Sequence, residues 1–400
     1  MRFRTVVLVA LLHVSACAFD GSNQVASSDS GFGSEPDAPT SGGDGGANQS
    51  DAGELGCQNF ASLFNACAIE PTSGDLALTL SGTYTFNTDN GVLEDPAGDP
   101  VETQSAEVSA LNGTIRVLMT NSFVLGRDSA LRAEGDLPFA IGAFETLSIE
   151  GLLDVGRGGA GARSNCEEGN GSAGGDLRGG AGGGGGGAFQ GAGGNGGLGN
   201  GDGNTQGERG IGGTADNALP ASPLGGCPGG DGGEGEDDGG SGGDGGGAIY
   251  LSSGTQVVIS GGIQAAGDGA QGGRESGGGF ADAGGGGGGS GGYIFIEAPT
   301  VVISGAIAAN GGGGGEGSGD GDQGNDGQPG SLNAIAASGG ADGSPTGSDG
   351  GAGSFGAVLA GLSVDVAENG GAGGGGGGAG FIIIAADNAM LAGSISPPAL

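Results

Sequence analysis

Four cysteines in the body of the chain, Cys57, Cys67, Cys166 and Cys227, are the first candidates for chemistry. An even set reads as two disulfides in an oxidising compartment. Three pairings are open. The local one joins Cys57 to Cys67 and Cys166 to Cys227, and its second bond closes a long glycine-rich stretch, a constraint of about 4 kcal/mol. Cys57, Phe60, Phe64 and Cys67 fall at helical spacing. Ten residues of helix span about 15 Å, whereas bridged Cα atoms stand within about 7 Å. Either the segment turns or each cysteine pairs elsewhere. The expectation is a short turn or broken helix over 57–75, capping the N-terminal end of the strand region.

Carboxylates form a second set. Asp231, Glu234, Glu236, Asp237, Asp238 and Asp244 cluster in one glycine-rich stretch, and Glu316, Asp320, Asp322 and Asp326 in another. Hard oxygen ligands on a bending backbone suit Ca²⁺. Gly232-Gly233-Glu234-Gly235-Glu236-Asp237 matches the start of the nonapeptide calcium repeat, then departs at Gly239, where that repeat needs an apolar residue. The alternative is a solvating acidic surface. Calcium is therefore the one cofactor the sequence raises.

Other chemistry is excluded by absence. The chain has no Lys and a single histidine, His13, inside the segment read below as a removed leader. Imidazole-based triads, His-ligated zinc, a P-loop lysine and Schiff-base chemistry have no residues to carry them. Gly239-Gly-Ser241-Gly-Gly243 and Gly288-Gly-Ser290-Gly-Gly292 fit a nucleophile-elbow pattern, but with 109 glycines such matches arise by chance. Glu150, Glu297 and Asp365 are outward carboxylates that a polysaccharide lyase or glycosidase could use. They recur without basic or aromatic neighbours, so no catalytic residue is assigned. A net charge of −36 argues against nucleic acid.

The N-terminus carries a targeting pattern. Arg2 and Arg4 precede an apolar run from Val6 to Leu12, followed by Val14-Ser15-Ala16-Cys17. This resembles the signal peptide and lipobox of bacterial lipoproteins. The resemblance implies cleavage after residue 16, lipidation of Cys17 and a membrane as partner through that anchor. Ala18 after the cysteine permits the outer membrane. Residues 17–56, poor in apolar side chains, read as a flexible lipidated tether.

The elements behind these residues emerge from repeats. An apolar-x-apolar triplet recurs in groups of three: Phe139/Ile141, Leu147/Ile149 and Leu153/Val155; Ile249/Leu251, Val257/Ile259 and Ile263/Ala265; Ile294/Ile296, Val301/Ile303 and Ile307/Ala309; and Ile382/Ile384, Ala389/Leu391 and Ile395. Ile115/Val117, Phe123/Leu125 and Leu131/Ala133 form a looser group. Alternation puts both members of a triplet on one strand face. Gly151, Gly261, Gly305 and Gly393 follow the second pair and read as corners needing an unusual φ. The predicted fold is all-β: a parallel β-helix (solenoid) of about six rungs over 76–400, begun near 76–86, with 357–366 as a degenerate rung. Glycine-rich insertions 156–248, 266–293 and 310–381 leave at one corner and hold 86 of the 109 glycines. They read as partly ordered loops, with a packed array of extended glycine helices as the alternative.

The rung pattern Ile294-Phe-Ile296, Val301-Val-Ile303-Ser-Gly305-Ala-Ile307 and a following glycine tract resembles glycine-rich parallel β-helix proteins of bacterial surfaces, adhesin-like passengers and lipoproteins among them. The likeness to PE-PGRS proteins is compositional only, since their N-terminal helical region is missing. The first resemblance implies cell-surface exposure and a structural or adhesive role, with surface glycans, matrix or further copies of the chain as partners. A calcium module and a polysaccharide-active enzyme remain the alternatives.

Overall fold

The computed structural model describes residues 57–72, 74–110, 113–200, 205–216, 218–275, 282–367 and 370–400. They belong to one compact unit, Gly56–Leu400. Among the described residues helix is limited to two 3₁₀ turns, Ala66–Ala68 and Glu167–Gly169.

Three sheets carry the strands. The first aligns Leu76–Leu78, Phe123–Leu125, Thr146–Ile149, Gln256–Ile259, Thr300–Ile303 and Asn388–Leu391, all parallel. The second aligns Gly82–Asn87, Ser129–Glu134, Leu152–Asp154, Gly262–Gln264, Ala306–Ala308 and Ser394–Ser396 in parallel. Two antiparallel strands, Val92–Glu94 and Pro100–Val101, extend its edge. The third aligns Gly113–Thr120, Phe139–Ala143, Ala248–Ser253, Tyr293–Glu297 and Phe381–Ala385, with antiparallel Ser105–Ala110 at its edge.

In-register pairing places equivalent side chains in columns. Leu147, Val257 and Val301 stand side by side, as do Ile149, Ile259 and Ile303. These residues and their counterparts on the other sheets form one buried apolar cluster. A single short strand cannot bury such a face alone, and stacking does it.

The expectation of one all-β parallel solenoid with loops at a corner is corrected by this arrangement. The structure holds three separate multi-stranded sheets, mostly parallel, two of them finished by antiparallel strands, rather than a single solenoid. The insertions are also not loops: they build a second packed region, described below. The repeat pattern reports only segments with an apolar side-chain core, so it is blind to a region whose core is backbone.

Four smaller expectations change as well. In the looser group the inward pair is Arg116/Leu118, which align with Phe139 and Ile141, not Ile115/Val117. A one-residue shift moves every side chain to the opposite face. Arg116 is tolerated there because Nε donates to Thr88 O at 2.7 Å and Nη2 donates to Asp89 O at 2.9 Å and meets Glu107. Residues 357–366 form no strand and lie at the edge of the second region. Gly151, Gly261, Gly305 and Gly393 need no positive φ. A Cβ at Gly305 would stand 1.9 Å from Gly261 O, and one at Gly393 2.0 Å from Gly305 O, so close stacking of corners selects glycine.

Finally, the 57–72 segment does not cap an end. Ala61, Phe64 and Ala66 pack on Ile115, Val117, Met119, Ala140 and Tyr250, the outward side chains of successive strands in the third sheet. Both faces of that sheet are therefore covered, which is why its strands read as nearly continuous apolar runs.

Candidate functional site

The three insertions meet as a lattice of extended rods. Rod 180–189 shows the rule. Gly182, Gly185 and Ala188 donate to Gly175, Ser172 and Gly169 of one neighbour; Gly183 and Gly186 to Gly197 and Gly194 of a second; Gly184 and Gly187 to Gly285 and Gly288 of a third. Its carbonyls accept from Gly207, Gly210 and Gly213, from Gly233 and Gly230, and from Ala372, Gly375 and Gly378. Partners change with every residue and return every third, the periodicity of a three-residue-per-turn extended helix. Six rods thus surround one, and rods 282–292 and 370–380 are surrounded likewise.

These three central rods contain the all-glycine runs 182–187, 284–289 and 373–378. Each direction around them is filled by a neighbouring backbone. A Cβ would lie 2.1 Å from Gly230 O at Gly184, 2.0 Å from Gly185 O at Gly287 and 2.0 Å from Gly194 O at Gly375. Outer rods have fewer neighbours and need glycine only at every third residue. Gly324, Gly327 and Gly330 each donate inward and are buried, while Asn325, Asp326 and Gln328 between them are exposed.

The third sheet templates this lattice. Rods 282–292 and 370–380 run directly into Tyr293–Glu297 and Phe381–Ala385, and residues 238–247 run into Ala248–Ser253. These strands are adjacent in the sheet, about 4.8 Å apart, and their rods remain hydrogen-bonded neighbours. Phe189, Ala248, Tyr293 and Phe381 form the apolar seam between the regions, and burial pushes the Tyr293 phenol up to about 12.

Side-chain acceptors finish the lattice edges. Asp231 Oδ1 accepts from Gly242 N at 2.9 Å and Asp326 Oδ1 from Gly272 N at 2.9 Å. The fully buried Glu316 carboxylate accepts from Asn325 N, Gly343 N and Ser344 N. Ser172, Ser354 and Asn195 do the same for Ile211, Gly311 and Gly212.

The other carboxylates raised for calcium are dispersed. Glu236 faces Arg178 at 3.9 Å and Asp238 faces Arg274 at 3.8 Å. Glu234 N donates to Asp176 Oδ1, and Asp237 O accepts from Gly235 N. Asp320 takes a left-handed φ of 51° beside a tight turn in which Asp322 pairs with Gly319. Among the described residues no group of three or more acids, cysteines or histidines is placed to hold a metal ion. Of the acidic clusters, Asp231, Glu316 and Asp326 serve as acceptors for lattice backbone and Glu236 and Asp238 face arginines, a division that spacing alone could not separate from ligand spacing.

Two disulfides are formed, Cys57–Cys67 and Cys166–Cys227, with Cα separations of 5.7 and 5.8 Å. The first closes because 57–67 turns, with Asn59 Oδ1 accepting from Ala61 N and Ala66 N. It borders a cleft of about 1200 Å³ lined also by Phe60, Ile69, Phe144, Pro299 and the acids Glu70, Glu297 and Asp387. Glu297 Oε2 accepts from Ser62 N, Ser62 Oγ and Tyr250 Oη, and burial with this carboxylate pushes the Tyr250 phenol well up. Of the outward carboxylates, Glu297 is thereby engaged by the 57–72 segment. Glu150 follows a strand of the first sheet, and Asp365 sits in the lattice rather than on a strand.

The second disulfide lies within the lattice and has a cation beside it. Arg163 Nη2 donates to Cys227 Sγ at 3.2 Å, Nε donates to Gly225 O at 2.6 Å, and the guanidinium lies 4.8 Å over the Phe189 ring. Burial lowers its pKa, and Asp216 acts against that shift. Cys166, Cys227, Arg163, Glu168 and Asp216 share a pocket of about 450 Å³. Arg163 was not legible as a partner of the disulfide; its one signal in the sequence is a lone basic residue three positions before Cys166. The Tyr250–Phe295 stack, with ring centroids 4.9 Å apart, shows in the sequence only as aromatics at outward strand positions.

Cys17, the 1–16 leader and the 17–56 tether lie outside the described residues. No protein-family model, no curated protein and no solved structure matches the chain significantly.

Proposed function

We propose that this chain is a non-catalytic structural or adhesive surface module, exported and held to the cell envelope through lipid on Cys17. The observation that carries this reading is the lattice of glycine rods. A packed backbone array is stiff, and its outer rods present side chains at the two positions between successive glycines, in a pattern that repeats about every 9 Å at a rise of about 3.1 Å per residue. Regular spacing of many weak contacts suits multivalent attachment. Two disulfides fit an oxidising compartment.

Fractionation and attachment assays test the two halves of the proposal. Wild-type protein is expected with the membranes, and Cys17→Ala in the soluble fraction; a Cys17→Ala protein that still sediments with membranes refutes the anchor. Cells deprived of the protein are expected to attach less to a surface or to one another. Unchanged attachment and unchanged colony texture refute the adhesive role.

A further inference from the structure

The two disulfides differ in whether a cation stands beside them. The cleft beside Cys57–Cys67 has three carboxylates and no basic residue in its lining. At Cys166–Cys227 a half-buried guanidinium donates to one sulfur of the pair, Cys227 Sγ. The two cysteines also differ in exposure. Cys227 is buried at 1% exposure, and Gly169 packs so closely that a Cβ there would stand 2.7 Å from its sulfur. Cys166 is only partly buried, and both cysteines line the pocket.

We propose that Cys166–Cys227 is a thiol-exchange site, at which an incoming thiol forms a mixed disulfide with Cys166 and Cys227 departs as a thiolate held by Arg163. The bookkeeping of bonds is that of simple exchange. An external thiol loses its proton to water, and its sulfur attacks Cys166 Sγ opposite Cys227. The new S–S bond forms as the Cys166–Cys227 bond breaks, and the electron pair leaves on Cys227 Sγ. The incoming sulfur is oxidised to the disulfide level and Cys227 is reduced. Exchange is faster when the departing thiolate is stabilised, and a neighbouring arginine supplies that stabilisation.

The pocket also selects the thiol. Glu167 and Glu168 follow Cys166 directly, and Glu168 and Asp216 line the pocket, within a chain of net charge −36. A cationic or neutral aminothiol approaches this site more readily than a carboxylated one. The site would thus couple an amine-bearing thiol, free or at the end of a larger molecule, to the edge of the lattice. This inference stands independently of the proposed surface role.

Folded, oxidised full-length protein is exposed to limiting 2-aminoethanethiol or mercaptoacetate, quenched with acid, and mapped by peptide mass spectrometry. The adduct is expected on Cys166 with Cys227 as the free thiol, forming several-fold faster with the aminothiol. Arg163→Gln is expected to slow adduct formation at this pair about three- to tenfold while leaving Cys57–Cys67 unaffected, and Arg163→Lys to restore most of the rate. Circular dichroism confirms that each variant is folded. An adduct on Cys227, a rate unchanged in folded Arg163→Gln, or equal loss at both disulfides overturns the proposal. If Arg163→Gln does not fold, the regiochemistry in wild type and the rate in Arg163→Lys decide by themselves.

Discussion

The strand stack and the glycine lattice exclude water equally well by opposite means. Between the sheets, Ile259, Val301 and Ile303 are fully buried, and the stabilising surface is apolar side chain, worth roughly 1.5–3 kcal/mol for each large residue. In the lattice, Gly184, Gly287 and Gly375 are as deeply buried but contribute no side chain at all. What holds them is hydrogen bonding in every direction, about 0.5–1.5 kcal/mol net per bond, together with close backbone packing. Glycine also loses the most conformational freedom on ordering. The lattice therefore carries a larger entropic cost with a weaker driving force. Two features offset it: the third sheet holds three of its rods in register, and Cys166–Cys227 restrains the longest insertion in the unfolded chain. A core can thus be built from backbone alone, provided that a conventional core stands beside it.

Substitutions sharpen this contrast. The largest effect is expected from Ile259→Asp. It removes an inward side chain and leaves a buried carboxylate unpaired, so several kcal/mol should be lost and cooperative melting abolished. A variant that melts normally would mean that the stack is not the foundation. Gly287→Ala adds one methyl group, which in an ordinary helix is stabilising. Here that carbon would meet Gly185 O at 2.0 Å, and a loss of about 3 kcal/mol is expected in thermal or denaturant unfolding. Hydrogen exchange should show the damage first in the insertions, with the strands opening later.

Two milder changes bracket the lattice edge. Asp268 is half-buried, and desolvation raises its pKa, with Asp244 adding to the shift and Gly269 N, Arg157 and Arg132 opposing it. A carboxylate with a raised folded-state pKa destabilises the fold when ionised. Asp268→Asn should therefore stabilise slightly at neutral pH, and the gain should vanish as pH falls through the aspartate range. A gain that persists in acid would assign the effect to something other than ionisation. Leu362→Ser, on the exposed outer rod at 55% exposure, should change stability by less than about 0.5 kcal/mol. A larger loss would show that the outer rods also depend on side-chain packing.

The triplets around Leu147, Val257 and Val301 were legible because alternation at period two marks a strand face without knowledge of its neighbours. Arg116 was not, since choosing between it and Ile115 required knowing that residues 57–72 cover the outer face of the third sheet with Phe64. The same ignorance made those residues look like an end cap. The carboxylates of 231–238 were visible as a cluster but their separate partners were not, because Gly242 N reaches Asp231 and Arg274 reaches Asp238 only once the rods pack side by side.

By itself the sequence determined where apolar columns and bare glycine would fall, because those patterns are local and follow from side-chain period and steric size. It also determined that only arginine could supply positive charge to the body of the chain. Tertiary structure alone decided that the all-glycine runs become central rods. A run free of side chains is equally compatible with a flexible loop, and only six neighbours meeting every peptide group distinguish the two. It likewise decided which cysteines join and that Arg163 stands on Cys227, since both depend on how separate rods pack side by side.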